Sequence, residues 1–188
     1  MIISLPDSGE IIATEDQILT TSWFTYFQDI WQAIRGGLGI SIGGTISTNT
    51  TLAANSGSGE TTMMSYTVTP MKNNGDDISI KAWGIYAANA NNKTISLKFG
   101  SQTILTTGAI AANDGSWQIE ATIIRTAAAT QEIIASIVSS NASVAESATR
   151  TAGTQTLTTS NDLIITGQGA SSSDIVQYAM VVKLTPND

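Results

Sequence analysis

The feature that most constrains this chain is a change of hydrophobic period near Gly36. Before it, apolar residues recur about every 100° of a helical wheel, which predicts one amphipathic helix over residues 22–35. After it, apolar and polar residues alternate, as in the segment 95–99, which is typical of half-buried strands. The helical stripe consists of Trp23, Phe24, Phe27, Ile30, Trp31 and Ile34. The sequence therefore predicts a β domain that carries a short N-terminal helix.

Burial of the aromatic stripe is required, because a helix this short is marginal alone in water. The segment Thr20 to Ser22 supplies N-cap candidates, and Gly36 with Gly37 supplies a C-cap. The stripe could cover one end of its own β core. However, the Gly/Ser/Thr-rich segment 38–59 would tether such a helix loosely. We therefore expect the six stripe residues to form an anchor or assembly interface with another molecule.

Composition limits the classes of partner. The chain has 188 residues, which suits one all-β domain with an extension, and its formal net charge is −7. Charged residues make up only 12%, while hydrophobic residues make up 41%, a composition that does not favour disorder. The seven basic residues after the helix are scattered singly from Lys72 to Lys183. Nucleic-acid binding needs clustered cations, so it is not expected here.

The absence of histidine and cysteine removes several kinds of chemistry. Histidine is the commonest general acid or base near neutral pH and the commonest transition-metal ligand. Without cysteine there are no disulfides, thiolate nucleophiles or zinc-thiolate sites. We expect a protein that is not an enzyme and holds no cofactor or metal.

The N-terminus lacks the features of an export signal. It has no basic region and no long apolar run, and acids stand at Asp7 and Glu10. No segment approaches the roughly 18 consecutive apolar residues of a membrane span. The sequence predicts a protein made in the cytoplasm without membrane insertion.

Strand candidates recur at short spacings after the helix, with turn residues between them. They lie at 40–46, 50–54, 61–69, 77–86, 93–99, 102–107, 116–126, 130–139, 143–151, 154–159, 162–168 and 174–184. This spacing predicts an all-β, antiparallel jelly roll or β-sandwich, preceded by the helix. We divide the chain into an anchor at 1–37, a linker with the first short strands at 38–59, and the sandwich domain at 60–188.

The two faces of the strands can be assigned by alternation. Ile78, Ile80 and Ala82 are expected to face inward, and a bulge near Trp83-Gly84 would then turn Trp83 inward as well. In the last strand, the alternate residues from Val176 to Leu184 form one predicted face. Many outward positions are small or neutral, which suggests contact with another subunit.

Two acidic turns resemble binding loops but have simpler explanations. Asp76 and Asp77 follow Asn73-Asn74-Gly75 without EF-hand spacing, so we interpret them as a structural turn. Asn113-Asp114-Gly115 between alternating runs is a strong hairpin signal. Paired carboxylates could in principle hydrolyse glycosides, although the sequence places no two of them together. The available acids are Glu120, Glu132, Glu146, Asp114 and Asp162.

Trp83 and Trp117 are the two tryptophans of the β region. Exposed indoles could stack on sugars. Both lie in registers that we interpret as inward, so core packing is the favoured role.

The chain resembles the small virion proteins of tailed bacteriophages that form short fibres, spikes or decorations. The resemblance begins with Leu5-Pro6-Asp7 and the helix from Ser22 to Ile34. It continues in three β segments, at 74–84, 92–100 and 115–126. It spans most of the chain and depends on a style of sequence, with no diagnostic motif.

This resemblance implies a homotrimer that attaches to the capsid, portal or tail through its N-terminal region and displays a jelly-roll head. It implies a virion location, a structural function and a role in host adsorption. Alternatives are a capsid decoration or cement protein, and a receptor- or glycan-binding module whose partner is a host surface glycan or protein. The least favoured is a carboxylate-based polysaccharide depolymerase. No catalytic residue is carried over.

Overall fold

The computed structural model describes residues 43–140 and 147–187, with Phe27 and Ile30 as two isolated helical positions. Ile42–Asn187 forms one compact unit. The remainder of the predicted helix, with Trp23, Phe24, Trp31 and Ile34, lies outside the described residues. The helix and its anchor role therefore stay predictions.

Every regular element in residues 43–140 and 147–187 is a β-strand. The strands are β1 Gly44–Asn49, β2 Ala53–Ser56, β3 Thr61–Val68, β4 Asp77–Tyr86, β5 Lys93–Phe99, β6 Gln102–Thr106, β7 Ser116–Ala127, β8 Thr130–Ser139, β9 Ser147–Gly153, β10 Asn161–Gly169 and β11 Ser172–Thr185. The prediction of an all-β, antiparallel sandwich is confirmed.

Two antiparallel sheets form the sandwich. The larger sheet has seven strands in the order β1-β11-β4-β7-β8-β9, with β2 also pairing with β11. The smaller sheet has the order β3-β10-β5-β6. β1 and β2 do not pair with each other, because both lie along the same edge of β11. The first two strands are thereby part of the larger sheet.

The core lies between the two sheets. It consists of the side chains at alternate strand positions, which point inward from each sheet. In β4 the buried positions are Ile78, Ile80, Ala82, Gly84 and Tyr86, with no break in the period. The smaller sheet contributes residues of β3, β5 and β10 to the same cluster. Burial of branched aliphatic and aromatic side chains at alternate positions stabilises the pairing register.

The expected bulge lies on a different strand. β4 alternates regularly through Trp83 and Gly84, while the register of β11 shifts between Gln177 and Ala179. Tyr178 is the extra residue of this bulge. In β11 the inward side chain after Gln177 is therefore Met180, three residues later. The prediction of uniform alternation in the last strand is wrong.

Two further local predictions are wrong. Residues 154–159 form no strand; this loop instead buries Leu157, whose backbone hydrogen bonds with Ala128 and Met71. The turn at Asp114-Gly115 does have positive φ at both residues. It precedes β7 of the larger sheet and follows β6 of the smaller one, so it joins two sheets and closes no hairpin.

Candidate interaction surface

The solvent-facing side of the larger sheet is here called the outer face. It is formed on the three central strands by alternate residues of β4, β7 and β8. These are Ser79, Lys81, Trp83 and Ile85, then Gln118, Glu120, Thr122 and Ile124, then Glu132, Ile134, Ser136 and Val138. The face is uncovered in the described part of the chain.

Large apolar side chains are concentrated on this surface. Six of the eight exposed large apolar residues that the structure describes belong to β4, β7, β8 and β11. They are Trp83, Ile85, Ile124, Ile134, Val138 and Tyr178. Ile134 is 58% exposed and Trp83 is 37% exposed. Such a concentration of exposed large apolar side chains on one face marks an interaction site more often than a solvated surface.

The strand register arranges these side chains in rows across the sheet. Lys81, Glu120 and Ser136 form the central row. The row of Trp83, Gln118 and Val138 lies on one side of it, and the row of Ser79, Thr122 and Ile134 lies on the other. Trp83 and Val138 on one side and Ile134 on the other therefore flank a central row that is polar and ends in the small side chain of Ser136.

A groove of about 640 Å³ follows this arrangement. Its lining includes Trp83, Ile134 and the small side chains of Ser136 and Ala148. A second depression of about 560 Å³ lies beside Trp83 toward Ser139 and Ser140. Trp83 thus projects between two concave regions of the same face.

Four charged residues of the outer face are paired with each other, while Lys183 at its β11 edge makes no ion pair with any residue that the structure describes. Lys81 Nζ lies 2.9 Å from Glu120 Oε1, and that oxygen also accepts a hydrogen bond of 2.9 Å from Gln118 Nε2. Toward the β9 side, Arg150 lies 2.8 Å from Glu132. Exposed pairs of this type contribute at most about 1 kcal/mol to stability, so their main effect is to neutralise the surface.

The two tryptophans of the β region have opposite environments. Trp117 is 1% exposed and belongs to the core, as expected. Trp83 was expected in the core and this prediction is wrong, because the unbroken alternation of β4 places it on the outer face. Its exposure removes the main objection to an aromatic binding platform at this position.

The outer face of the smaller sheet is different in character. Its exposed positions are mostly threonine and serine, namely Thr62, Ser65, Thr67, Thr103 and Thr106. Glu60 and Lys98 form an ion pair of 2.8 Å beside them. Hydrogen bonds from Lys98 and then Thr166 hold the pKa of Glu60 below its usual value. The sandwich therefore has one polar outer face and one apolar outer face.

A buried ammonium organises the loops at one end of the sandwich. Lys93 is fully buried, and its Nζ donates to the backbone oxygens of Asn89, Asn91 and Ala112 and to Asn89 Oδ1, at 2.6–3.1 Å. Asp174 accepts from both asparagine side chains and from the backbone N–H of Ser171. Every donor of this ammonium is used within the fold, so we interpret the cluster as structural.

The other carboxylates named from the sequence are dispersed. Glu120 and Glu132 are engaged in the two ion pairs of the outer face, and Asp162 accepts a hydrogen bond from Thr67 on the smaller sheet. Asp114 lies in its turn, and Glu146 lies outside the described residues. Asp76 accepts from the backbone N–H groups of Lys72, Asn73 and Asn187, consistent with a structural turn.

Within 43–140 and 147–187 no group of three or more acidic, histidine or cysteine side chains could hold a metal ion. Over the same part of the chain no helix is long and apolar enough to cross a bilayer.

The outer face could have been found from the sequence only in part. The neutral outward positions and low overall charge indicated a surface that meets another molecule. Ile134 and Val138 were missed, because a pattern of alternation does not say which of two apolar faces is the buried one. Comparison with known proteins adds no identity, since no family model and no curated protein matches the chain.

Proposed function

We propose that this chain is a non-enzymatic structural protein of a tailed-phage virion, a homotrimeric short fibre or spike. Its N-terminal region, residues 1–37, attaches to the capsid, portal or tail, and the sandwich is displayed outward. The observation that supports an attaching and assembling role is the apolar, charge-paired outer face of the larger sheet. Surfaces of this composition are typical of contacts between proteins.

The strand order supports a jelly roll as the finer description of the sandwich. The chain crosses between the two sheets six times, so that β1-β11-β4-β7 belongs to one sheet and β3-β10-β5-β6 to the other. This exchange of strands between two four-stranded halves is the jelly-roll arrangement, with β8 and β9 extending the larger sheet. A sandwich of this type is a rigid scaffold that can display its loops and outer faces.

Adsorption to a host would follow from display in several copies. Three weak sites on one rigid head gain effective concentration without any new contact. A decoration or cement protein is the alternative within the same structural class. In that case the head would bind capsid proteins and not the host.

A second candidate function is a receptor- or glycan-binding module. The exposure of Trp83 beside a groove favours it, because an indole face can stack on the apolar side of a sugar ring. A glycan array probed with the chain at high multivalent density tests this function. Binding that Trp83→Ala abolishes would support it, and no binding to any glycan would count against it.

The virion assignment is tested on particles. Antibodies raised against the purified chain should label intact phage particles in negative-stain electron microscopy, at the capsid, the portal region or the tail. Particles assembled with a chain that lacks residues 1–37 should lose the label. Labelling confined to free protein in the lysate would overturn the proposal.

A further inference from the structure

We propose that a second copy of this chain covers the outer face of the larger sheet. This inference rests on the proposed function, because it names the surface through which the displayed heads assemble. It follows from four properties of the face, namely its contrast with the other sheet, its size, its charge pairing and its shape.

The two outer faces of the sandwich differ in the residues that they present to solvent, although both belong to the same chain. Both sheets belong to one sandwich, and each presents one side to solvent. The smaller sheet presents threonine and serine there, as a solvated sheet should. The larger sheet presents Trp83, Ile124, Ile134 and Val138. General properties of the chain, such as its low charge, would affect both faces equally and do not explain the difference.

The size of the face matches what a stable contact needs. Five strands, β11, β4, β7, β8 and β9, span about 24 Å at about 4.8 Å per strand. Asp77 to Ile85 extends about 27 Å along β4 at about 3.4 Å per residue. The product is about 650 Å² per subunit, close to the roughly 800 Å² per partner of a standard protein interface.

The charges on the face favour a protein partner over a saccharide. Lys81, Glu120 and Gln118 already bond to one another at the centre, and Arg150 bonds to Glu132. These paired ions can be covered without leaving a buried charge alone, while Lys183, unpaired among the described residues, lies at the β11 edge of the face, where its ammonium can stay in water. A sugar requires free donors and acceptors for its hydroxyl groups, and here the charged groups at the centre of the face already bond to their neighbours.

The shape of the face is suited to a copy of itself. Trp83 and Val138 form a projecting row, and the groove over Ser136 and Ala148 lies next to it. A second copy brings the same projection and the same groove. Around a three-fold axis the projecting row of one copy would meet the groove of the next, which is a heterologous contact that closes into a ring.

The test uses single thiols in the full chain, which contains no cysteine of its own. Val138→Cys places a thiol on the outer face, and Ser65→Cys places a matched thiol on the exposed face of the smaller sheet. Maleimide labelling is followed for both at the same protein concentration, and light scattering coupled to size exclusion gives the solution mass. We expect an oligomer and labelling at position 138 slower than at position 65 by about 10-fold or more.

A third variant tests the cause of the protection. Ile134→Glu adds a charge to the outer face at a position that is 58% exposed, and Ser65→Glu adds the same charge to the polar face. Ile134→Glu should lower the mass toward that of the 19.6 kDa chain with an unchanged far-UV CD spectrum, while Ser65→Glu should leave the mass unchanged.

Each other outcome overturns the inference in a distinct way. Equal labelling at positions 65 and 138 in an oligomer would place the subunit contact elsewhere and leave the proposed function standing. Slow labelling at position 138 in a monomeric chain would show that something other than a second copy covers the face. Glycan binding that depends on Trp83 in the intact oligomer would show that the face is open.

Discussion

The indole of Trp117 lies against Gly84 on the inner side of the larger sheet, where the two residues are register partners on β7 and β4. A Cβ added at position 84 would clash with the carbonyl oxygen of Val176 and lie 2.7 Å from Trp117 Cζ2. The close approach of a tryptophan to a backbone explains the glycine inside a regular strand. It also keeps the alternation of β4 unbroken, which turns Trp83 outward.

Gly84→Ala should therefore destabilise the sandwich. The extra methyl group forces either the indole or the β11 backbone to move, which costs about 1–3 kcal/mol of unfolding free energy. Chemical denaturation followed by far-UV CD measures this loss. Gly59→Ala is the control, because nothing lies within 4 Å of a Cβ built there, and it should change the free energy by less than about 0.5 kcal/mol. Equal effects would contradict the account of Gly84.

The two tryptophans should respond differently to truncation. Trp117→Ala removes a fully buried side chain and should cost about 3–5 kcal/mol of unfolding free energy. Trp83→Ala should leave the β-sheet CD spectrum intact and act on the solution mass instead, because the side chain lies on the outer face. If Trp83→Ala destabilised the fold as much as Trp117→Ala, the outward placement of Trp83 would be wrong.

The strands were largely predictable because alternation is a local property. The intervals 77–86, 93–99 and 130–139 coincide with β4, β5 and β8. Trp83 was misplaced because a bulge was expected near Trp83-Gly84, whereas β4 is regular there and the inward position of Gly84 is filled by Trp117 from another strand. The loop at 154–159 was predicted as a strand because it contains the apolar Leu157. This side chain is buried in the core, although the backbone around it forms no regular element.

The outer face was predictable only in outline. Low charge at outward positions indicated a contact with another molecule, but the pairing of Ile134 with Thr122 and of Val138 with Gln118 requires the β7–β8 register. The buried Lys93 cluster was not anticipated at all. Its acceptors are mostly backbone oxygens of two separate loops, which leave no side-chain motif in the sequence.

Removal of the Lys93 ammonium should be among the most destabilising single changes. Lys93→Met would leave the oxygens of Asn89, Asn91 and Ala112 without their donor and would leave the buried Asp174 without a nearby positive charge. The expected loss of unfolding free energy is about 3 kcal/mol or more. Lys72→Met at an exposed position is the matched control and should cost less than about 0.5 kcal/mol. If urea denaturation showed that Lys93→Met loses as little unfolding free energy as the control, the cluster would not be what holds the loops in place.

The carboxylate of the same cluster predicts a dependence of stability on pH. Burial alone would raise the pKa of Asp174, but hydrogen bonds from Ser171, Asn89 and Asn91 and the charge of Lys93 hold it below its usual value of 3.8. The unfolded chain therefore binds this proton more readily, so the stabilisation is complete above that value and is lost as the pH falls through it. Asp174→Asn should cost stability at pH 7, and the difference from the unaltered chain should narrow at pH 3. Urea denaturation at the two pH values measures both differences, and a gap that stays constant would show that Asp174 does not bind its proton differently in the folded and unfolded chain.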